Sequence, residues 1–289
     1  SDLLVWESVD IPHDWLIYDA KNLYETSTGW YRRDLQWNLQ ESERVSLRFE
    51  GVYMDSRVYV NGQLAGEWKY GYSTFEFDIT ELLHEGGNLV SVRVDYHAPN
   101  SRWYSGAGIY RRVWLKIYSE CHLAADGVYI SADTDGTVRV TAETERPAGV
   151  PVSGLSVCHK IYDEETILAR TERPCCAADL SCIPEPVRRK GWQYAVNHSS
   201  LVIEKPVLWD IENPKRYRMV TELLRDGQVV DSREDWFGFR RIEFTSENGF
   251  FLNGRHLKLK GCCEHHDLGA LGAAVNRAAI MRKLTILRT

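Results

Sequence analysis

The stretch FEGVYMDSRVYVNGQLAG, residues 49–66, gives the clearest indication of the fold. Two short apolar runs flank the dipeptide Asn61-Gly62. Asn-Gly accepts the two positive φ angles of a type I′ turn, whose twist matches that of paired antiparallel strands. The stretch therefore predicts a β-hairpin.

The same strand pattern continues on both sides of this hairpin. Apolar residues alternate with polar ones in four further runs, at Val45, Leu47 and Phe49; Phe75, Phe77 and Ile79; Val90, Val92 and Val94; and Val113, Leu115 and Ile117. A period of two over short runs is typical of half-buried antiparallel strands. We therefore expect residues 1–118 to form a β-sandwich.

Residues 119–241 repeat this organisation in shorter cycles. Strand candidates lie at residues 137–145, 154–163, 199–209 and 215–230, with a turn predicted at Asp226-Gly227. The spacing of the turn signals is typical of an immunoglobulin-like sandwich. The stretch RPCCAADLSCIPEPVRRKG, residues 173–191, has little periodicity and three prolines, so we expect a long loop there.

The sequence changes in character after Phe244. Asn253-Gly254 predicts another turn, and a strand with Leu257 and Leu259 on one face is expected after it. Residues 276–289 predict a helix that has Asn276 as N-cap and an apolar face of Ile280, Leu284 and Leu287. One strand–helix unit cannot bury its own faces, and a complete (β/α)8 barrel takes roughly 200–250 residues. We therefore expect residues 242–289 to be the start of a barrel domain in a fragment of a longer protein, with the apolar helix face exposed or covered by a partner chain.

The stretch GCCEHHDLGALG, residues 261–272, concentrates the chemically active side chains. If the strand from Leu257 continues with period two, Cys263, His265 and Asp267 share a face. Functional residues of parallel barrels lie at the carboxyl ends of strands, so His265 and Asp267 are candidates to hold two hydroxyls of one sugar. A zinc site of Cys263, His265 and Asp267 is an alternative. In a third interpretation the cysteines, Cys262 included, are small core residues and the histidines end the strand.

Composition excludes several other classes of function. The formal net charge is −6 and the longest basic run is Arg188 to Lys190, so we expect no nucleic-acid partner and no membrane partner. Seven cysteines without a framework spacing favour a reducing compartment. We expect a cytoplasmic protein, with a periplasmic or secreted one as the alternative if a signal peptide has been removed.

Several stretches together resemble glycoside hydrolase family 2. Four stretches resemble its sugar-binding domain: VDIPHDW (9–15), GWYRRDL (29–35), residues 49–66 and SRWYSGAGIYRRVWL (101–115). Two resemble its immunoglobulin-like domain, VLWDIENPKRYRM (207–219) and FGFRRIEF (237–244). One, FFLNGRHLKLKGCCEHHDLGALG (250–272), resembles the opening of its barrel. The resemblance implies a mainly β chain. Residues 1–118 would be a jelly-roll, galactose-binding-like sandwich, residues 119–241 an immunoglobulin-like sandwich, and residues 242–289 the first βα unit of a truncated (β/α)8 barrel.

The resemblance also implies an activity. Family members are retaining glycosidases that use two glutamates. Both glutamates belong to later barrel strands, so we expect no catalytic residue in this chain and no activity from the fragment itself. The form HHDLGALG favours a β-galactosidase that hydrolyses terminal β-D-galactosides. The alternatives are a β-glucuronidase, a β-mannosidase or a non-catalytic carbohydrate-binding protein.

Substrate-binding residues are the part of the site that the resemblance places in this chain. They are His265 and Asp267, together with Asn100, Arg102 and Trp103 of a first-domain loop that family members bring to the barrel mouth. Packing between domains is the alternative role of Trp103 and Tyr104. The resemblance implies a carbohydrate substrate and no cofactor for this chain, allows sodium or magnesium in a complete enzyme, and is compatible with a homo-oligomer. The loop has no aspartate, with which some members bind sodium.

Overall fold

The computed structural model describes residues 6–40, 42–178 and 192–288, which fall into two compact units. Within this range, the first unit comprises the chain up to Ile117 together with the chain from Cys262 onward, and the second unit is Tyr118–Gly261. No helix in these described residues is long and apolar enough to cross a bilayer. Both units are built mainly of antiparallel strands, so the predicted mainly β fold class is confirmed.

The first unit is a sandwich of two sheets. Its strands are β1 (Ser27–Trp37), β2 (Glu43–Phe49), β3 (Ser56–Val60), β4 (Gln63–Trp68), β5 (Phe75–Asp78), β6 (Gly86–Tyr96) and β7 (Val113–Ser119). One sheet has the order β1-β6-β3-β4 and the other β5-β2-β7. The predicted hairpin is β3–β4, and both residues of its turn have positive φ, 52° at Asn61 and 79° at Gly62.

The core of this sandwich consists of the inward-facing residues of the predicted alternating runs. Val45, Leu47 and Phe49 of β2 pack in one cluster with Val92 and Val94 of β6. Because side chains alternate across a strand, these residues share the inner faces of the two sheets. The burial of apolar area on these faces is the main favourable contribution to the folding of the unit.

The second unit contains two four-stranded sheets and a smaller three-stranded sheet. Its strands are β8 (His122–Ala132), β9 (Thr137–Pro147), β10 (Leu155–Asp163), β11 (Thr166–Pro174), β12 (Cys176–Ala177), β13 (Trp192–Val202), β14 (Tyr217–Arg225), β15 (Gln228–Phe237), β16 (Ile242–Thr245), β17 (Gly249–Leu252) and β18 (Arg255–His256). The orders are β11-β10-β14-β15, β12-β13-β9-β8 and β16-β17-β18. Asp226-Gly227 and Asn253-Gly254 both form turns with positive φ, as predicted.

A buried polar network links the two large sheets of the second unit. His159 of β10 is fully buried, and its Nδ1 lies 3.0 Å from Thr221 Oγ1 while its Nε2 lies 3.3 Å from Asn197 Oδ1. Ser199 donates to the same oxygen of Asn197 at 2.8 Å. Burial lowers the pKa of His159 to about 4, although the hydrogen bond to Asn197 opposes this shift. The imidazole is therefore neutral in the folded protein at physiological pH.

Two local predictions require correction. The loop expected over residues 173–191 begins later, because β11 runs to Pro174 and β12 follows; the Asn197 side chain binds the carbonyl oxygens of Arg173 and Pro174. Residues 179–191 lie outside the described part. The strand expected from Leu257 is absent, since residues 257–268 have no regular secondary structure. A strand needs a hydrogen-bonded neighbour; the Leu257 amide still donates to the Phe250 carbonyl of β17 at 2.9 Å, but the described residues pair no strand with residues 258–268.

The predicted C-terminal helix is present as α1, Arg277–Arg288. Asn276 caps it, because its Oδ1 accepts a hydrogen bond from the Ala279 amide at 3.0 Å. The apolar face is exposed as expected, with 55% of Leu284 and 57% of Leu287 accessible to solvent. Little apolar burial therefore stabilises α1 in this chain.

We expect α1 to open readily in solution. Amide protons of Arg277–Arg288 should exchange with solvent much faster than those of the central strand β9, because the helix buries no residue whereas β9 lies inside a sheet. Hydrogen exchange of the dilute chain measures this. Equal protection of α1 and β9 would contradict the prediction.

The stability of the second unit should fall as the pH is lowered from 6.5 to about 4. The unfolded chain binds a proton at His159 in this interval and the folded chain does not, so the unfolded state is favoured. The loss approaches about 3 kcal/mol once the pH reaches the folded-state pKa. Urea unfolding across this pH interval measures the effect.

A matched pair of variants tests whether His159 is the cause. His159→Gln should flatten the pH dependence over this interval. His198→Gln removes an exposed histidine from the same sandwich and should leave the dependence intact. An unchanged pH dependence in His159→Gln would rule out this explanation.

Candidate functional site

The candidate site is built around the connection between β6 and β7, residues 97–112. Asn100 fixes the start of this loop, because its Nδ2 donates to the His97 carbonyl at 2.6 Å and its Oδ1 accepts from Ser105 Oγ at 3.3 Å. Ser101 donates to the Trp103 carbonyl at 2.6 Å. These local bonds shape the loop so that Trp103 stays exposed while Ser105 is buried.

The C-terminal segment, residues 262–276, is anchored to this loop. His266 donates from Nε2 to the carbonyl oxygen of Ser105 at 3.1 Å, and its ring lies between the rings of Tyr72 and Tyr110 at centroid distances of 5.6 and 5.7 Å. Further along, the Val275 amide donates to the Tyr110 carbonyl at 2.9 Å. The segment, whose one short helical turn is the 3-10 helix Gly269–Leu271, is therefore held on both sides of that turn.

A buried carboxylate forms the third anchor. Asp14 is 2% exposed, and its Oδ1 accepts from the amides of Leu16 at 3.1 Å and Ala107 at 2.9 Å. Its Oδ2 accepts from the Tyr104 hydroxyl at 2.6 Å and from the Ala273 amide at 2.8 Å. A buried charge needs such hydrogen bonds to offset its desolvation. Asp14 thereby joins the N-terminal segment, the loop and the C-terminal segment.

His265 and Trp103 meet at the surface of this assembly. Their ring centroids are 5.4 Å apart with the planes inclined by 52°. Both side chains are exposed. The structure thus brings a candidate sugar-binding histidine from one end of the sequence next to a candidate aromatic from the loop.

Tyr104 and Asp267 interact electrostatically. Burial raises the pKa of the Tyr104 phenol well above its usual value, the hydrogen bond to Asp14 raises it further, and the charge of Asp267 acts in the same direction. Tyr104 therefore remains protonated at neutral pH and donates to Asp14. Arg102 is exposed, and the structure gives it no contact to the other candidates within the described residues.

The strand-based account of the two histidines needs correction. Alternation along a strand placed Cys263, His265 and Asp267 on one face, but these residues lie in an irregular segment. His266 is the anchor, whereas His265 is exposed, and Glu264 forms an ion pair with Lys283 of α1. Cys262 and Cys263 are exposed thiols here rather than core residues.

The residues of the site do not fit a metal ion. Within the described ranges, no three His, Cys, Asp or Glu side chains come together as one ligand group, Cys263, His265 and Asp267 included. The loop at residues 100–104 contributes no carboxylate. No step of the chemistry below is therefore assigned to sodium, magnesium or zinc.

Asp14 and His266 were not identified as site residues from the sequence. Their roles depend on contacts with residues far away along the chain, Ala273 for Asp14 and Ser105 for His266. The one usable signal was their position inside the stretches VDIPHDW and GCCEHHDLGALG.

Comparison with known sequences identifies the class of protein. The family model described as "Glycosyl hydrolases family 2, sugar binding domain" matches residues 5–118, and the model described as "Glycosyl hydrolases family 2" matches residues 122–240. The chain belongs to glycoside hydrolase family 2.

Individual relatives support this membership. The β-galactosidase BoGH2A of Bacteroides ovatus is 35% identical over 98% of this chain and 34% of its own length. A solved family 2 member from Bacteroides cellulosilyticus has a TM-score of 0.81 at 32% identity, covering 98% of this chain and 39% of its own. A solved β-glucuronidase from Bacteroides uniformis has a TM-score of 0.82 at 28% identity, covering 98% and 35%. The chain spans about a third of the length of the curated relative from Bacteroides ovatus.

We expect the two neighbouring histidines to behave differently on substitution. His266→Ala removes the hydrogen bond to Ser105 and the contacts with Tyr72 and Tyr110. Amides in residues 268–275 should then exchange faster, with an opening free energy lower by about 1–2 kcal/mol. His265→Ala removes an exposed ring and should leave this exchange close to that of the unmodified chain. Similar exchange in both variants would show that His266 is not the anchor.

Proposed function

We propose that this chain is the substrate-binding N-terminal part of a retaining β-glycoside hydrolase, and that its substrate is a terminal β-D-galactoside. The observation that supports this most directly is the exposed contact between Trp103 and His265, 5.4 Å between ring centroids. An aromatic ring next to directional polar groups suits a sugar, because a pyranose has an apolar C–H face and a rim of hydroxyls.

Each candidate residue would have a different role in binding the sugar. Trp103 would support the apolar face of the terminal sugar. His265 can donate or accept a hydrogen bond according to its tautomer, and the Asp267 carboxylate accepts from hydroxyl groups. Asn100 would act on the shape of the loop, because both ends of its amide are already bonded to His97 and Ser105.

The bond-breaking chemistry is assigned to glutamates outside this chain. In a retaining mechanism one carboxylic acid protonates the leaving oxygen while a carboxylate attacks the anomeric carbon; the first group then activates water to release the sugar. Glu264 does not fit either role, since it forms an ion pair with Lys283. We accordingly propose that residues 1–289 alone bind sugar without hydrolysing it.

A β-glucuronidase is the second candidate, and Arg102 is the observation that favours it. This exposed guanidinium adjoins Trp103 in the loop. Guanidinium groups bind carboxylates in a two-pronged geometry, and a glucuronide carries a carboxylate that a galactoside lacks. The relatives include both a β-galactosidase and a β-glucuronidase.

The remaining assignments of the sequence analysis are part of this proposal. We keep residues 1–118, 119–241 and 242–289 as the sugar-binding, immunoglobulin-like and barrel-opening regions. We also keep the carbohydrate substrate and the cytoplasmic location. A carbohydrate-binding protein without activity is the outcome that would replace the enzyme.

The activity should be tested on the protein encoded by the complete gene. We expect cleavage of an aryl β-galactoside, with weaker cleavage of the matching β-glucuronide and β-mannoside. His265→Ala should lower kcat/KM for the preferred substrate by about tenfold or more, because a hydroxyl then loses its partner. A folded complete protein that cleaves no β-glycoside would contradict the proposal.

Arg102 distinguishes the two candidates. If the substrate is a β-galactoside, Arg102→Gln should leave kcat/KM nearly unchanged; in a β-glucuronidase it should cost about tenfold or more. Arg112→Gln is the matched control, since Arg112 is exposed in the same connection but its guanidinium lies 5.7 Å over the Trp114 ring.

A further inference from the structure

We propose that Asp14 is a positioning residue for the candidate sugar site. Its carboxylate sets the register of the C-terminal segment against the loop so that His265 faces Trp103. The positioning itself follows from the geometry of the described residues; its effect on sugar binding rests on the proposed function.

The two oxygens of Asp14 bind different parts of the assembly. Oδ1 accepts from the amides of Leu16 and Ala107, which are both buried within the first unit. Oδ2 accepts from the Tyr104 hydroxyl at 2.6 Å and the Ala273 amide at 2.8 Å. Oδ1 thus binds the N-terminal segment and the loop, and Oδ2 binds the loop at Tyr104 and the C-terminal segment at Ala273.

Both stretches lie next to candidate sugar-binding residues. Tyr104 directly follows Trp103 in the loop. Ala273 is fully buried in the segment that carries His265, and His266 fixes the other end of that segment by its bond to Ser105. With both ends fixed, the segment has one register, and that register places His265 at the Trp103 ring.

Two glycines make the close approach to Asp14 feasible. Gly106 has a φ of +68°, and a Cβ there would lie 2.5 Å from Asp14 Oδ2 and from the Ala273 Cβ. Gly272 has a φ of +59°, and a Cβ there would also collide with Oδ2. Both positions combine a left-handed backbone with the absence of space for a side chain. The absence of a Cβ at both glycines therefore lets the backbone approach Oδ2.

A purely structural role is the competing explanation. In that case loss of Asp14 would destabilise the first unit but would leave the Trp103–His265 contact unchanged whenever the unit is folded. The two explanations differ in one measurable quantity, the contact between the two rings in the folded chain.

Asp14→Asn is the most informative substitution. The amide keeps the size of the side chain and one acceptor oxygen. If that oxygen stays with the amides of Leu16 and Ala107, the NH2 group faces the Ala273 amide, and two donors then oppose each other. The scaffold bonds are kept while the bond to the segment is lost. Tyr104→Phe is the second variant, since it removes one donor to Oδ2 and keeps the charge.

The contact can be measured by tryptophan fluorescence of the chain across the range in which histidine titrates. Protonated imidazole quenches the fluorescence of an indole that it touches. The pH-dependent quenching that is lost in both Trp103→Phe and His265→Ala therefore reports this contact, and we call it the fluorescence signal. We expect the signal to disappear in Asp14→Asn and to decrease in Tyr104→Phe. Hydrogen exchange at Ala273 should increase in both variants.

Thr80→Ala is the control for stability alone. Thr80 is buried in the first unit, and its hydroxyl bonds to the Val45 amide at 2.8 Å and to Asp78 at 2.7 Å, away from the residues above. This variant should lower the melting temperature and keep the fluorescence signal. A folded Asp14→Asn chain with the full signal would overturn the proposal. If Asp14→Asn does not fold, an undiminished signal and unchanged Ala273 exchange in Tyr104→Phe would overturn it.

Calorimetry with galactose and with glucuronate separates this proposal from the proposed function. Loss of the fluorescence signal in Asp14→Asn supports positioning whether or not either sugar binds. Absence of heat with both sugars in the unmodified chain, with the signal present, would count against the sugar site and leave the positioning role supported.

Discussion

The carboxylate of Asp14 is surrounded by four hydrogen-bond donors from three separate stretches of the chain. A buried anion without such donors would cost several kcal/mol. Each charge-assisted bond contributes about 1.5–3 kcal/mol, and removing the acceptor would leave the buried donors unpaired. The loop, the N-terminal segment and the C-terminal segment therefore depend on one another through this carboxylate.

Most of the fold could be predicted from local sequence. Alternation at Val45, Leu47 and Phe49 identifies β2 because half-buried strands impose a period of two. Asn61-Gly62 identifies a turn because the required backbone angles favour these residues. The helix α1 was predicted from the spacing of its apolar residues and from its capping asparagine. Each of these features depends on residues that are close together in the chain, so a pattern in the sequence can indicate it.

The site was only partly predictable, because it is formed by contacts between distant residues. His265 and Trp103 were candidates through the family resemblance, and the structure places their rings together. The prediction of a strand after Leu257 was wrong, since periodicity indicates what a segment can form and not whether a neighbouring strand is present. The anchoring roles of Asp14 and His266 have no local signature. The sequence shows an aspartate or a histidine in the same way whether its side chain is exposed or binds a backbone group far along the chain.

The position of Asp14 in the sequence has a consequence for the order of assembly. Domains generally fold as units during synthesis, the N-terminal ones first. Leu16, Tyr104 and Ala107 are all translated well before Ala273, so three of the four donors can gather around the carboxylate in advance. Oδ2 then presents a ready acceptor when the C-terminal segment leaves the ribosome. The first sandwich, once folded, would set the register in which the C-terminal segment binds to it.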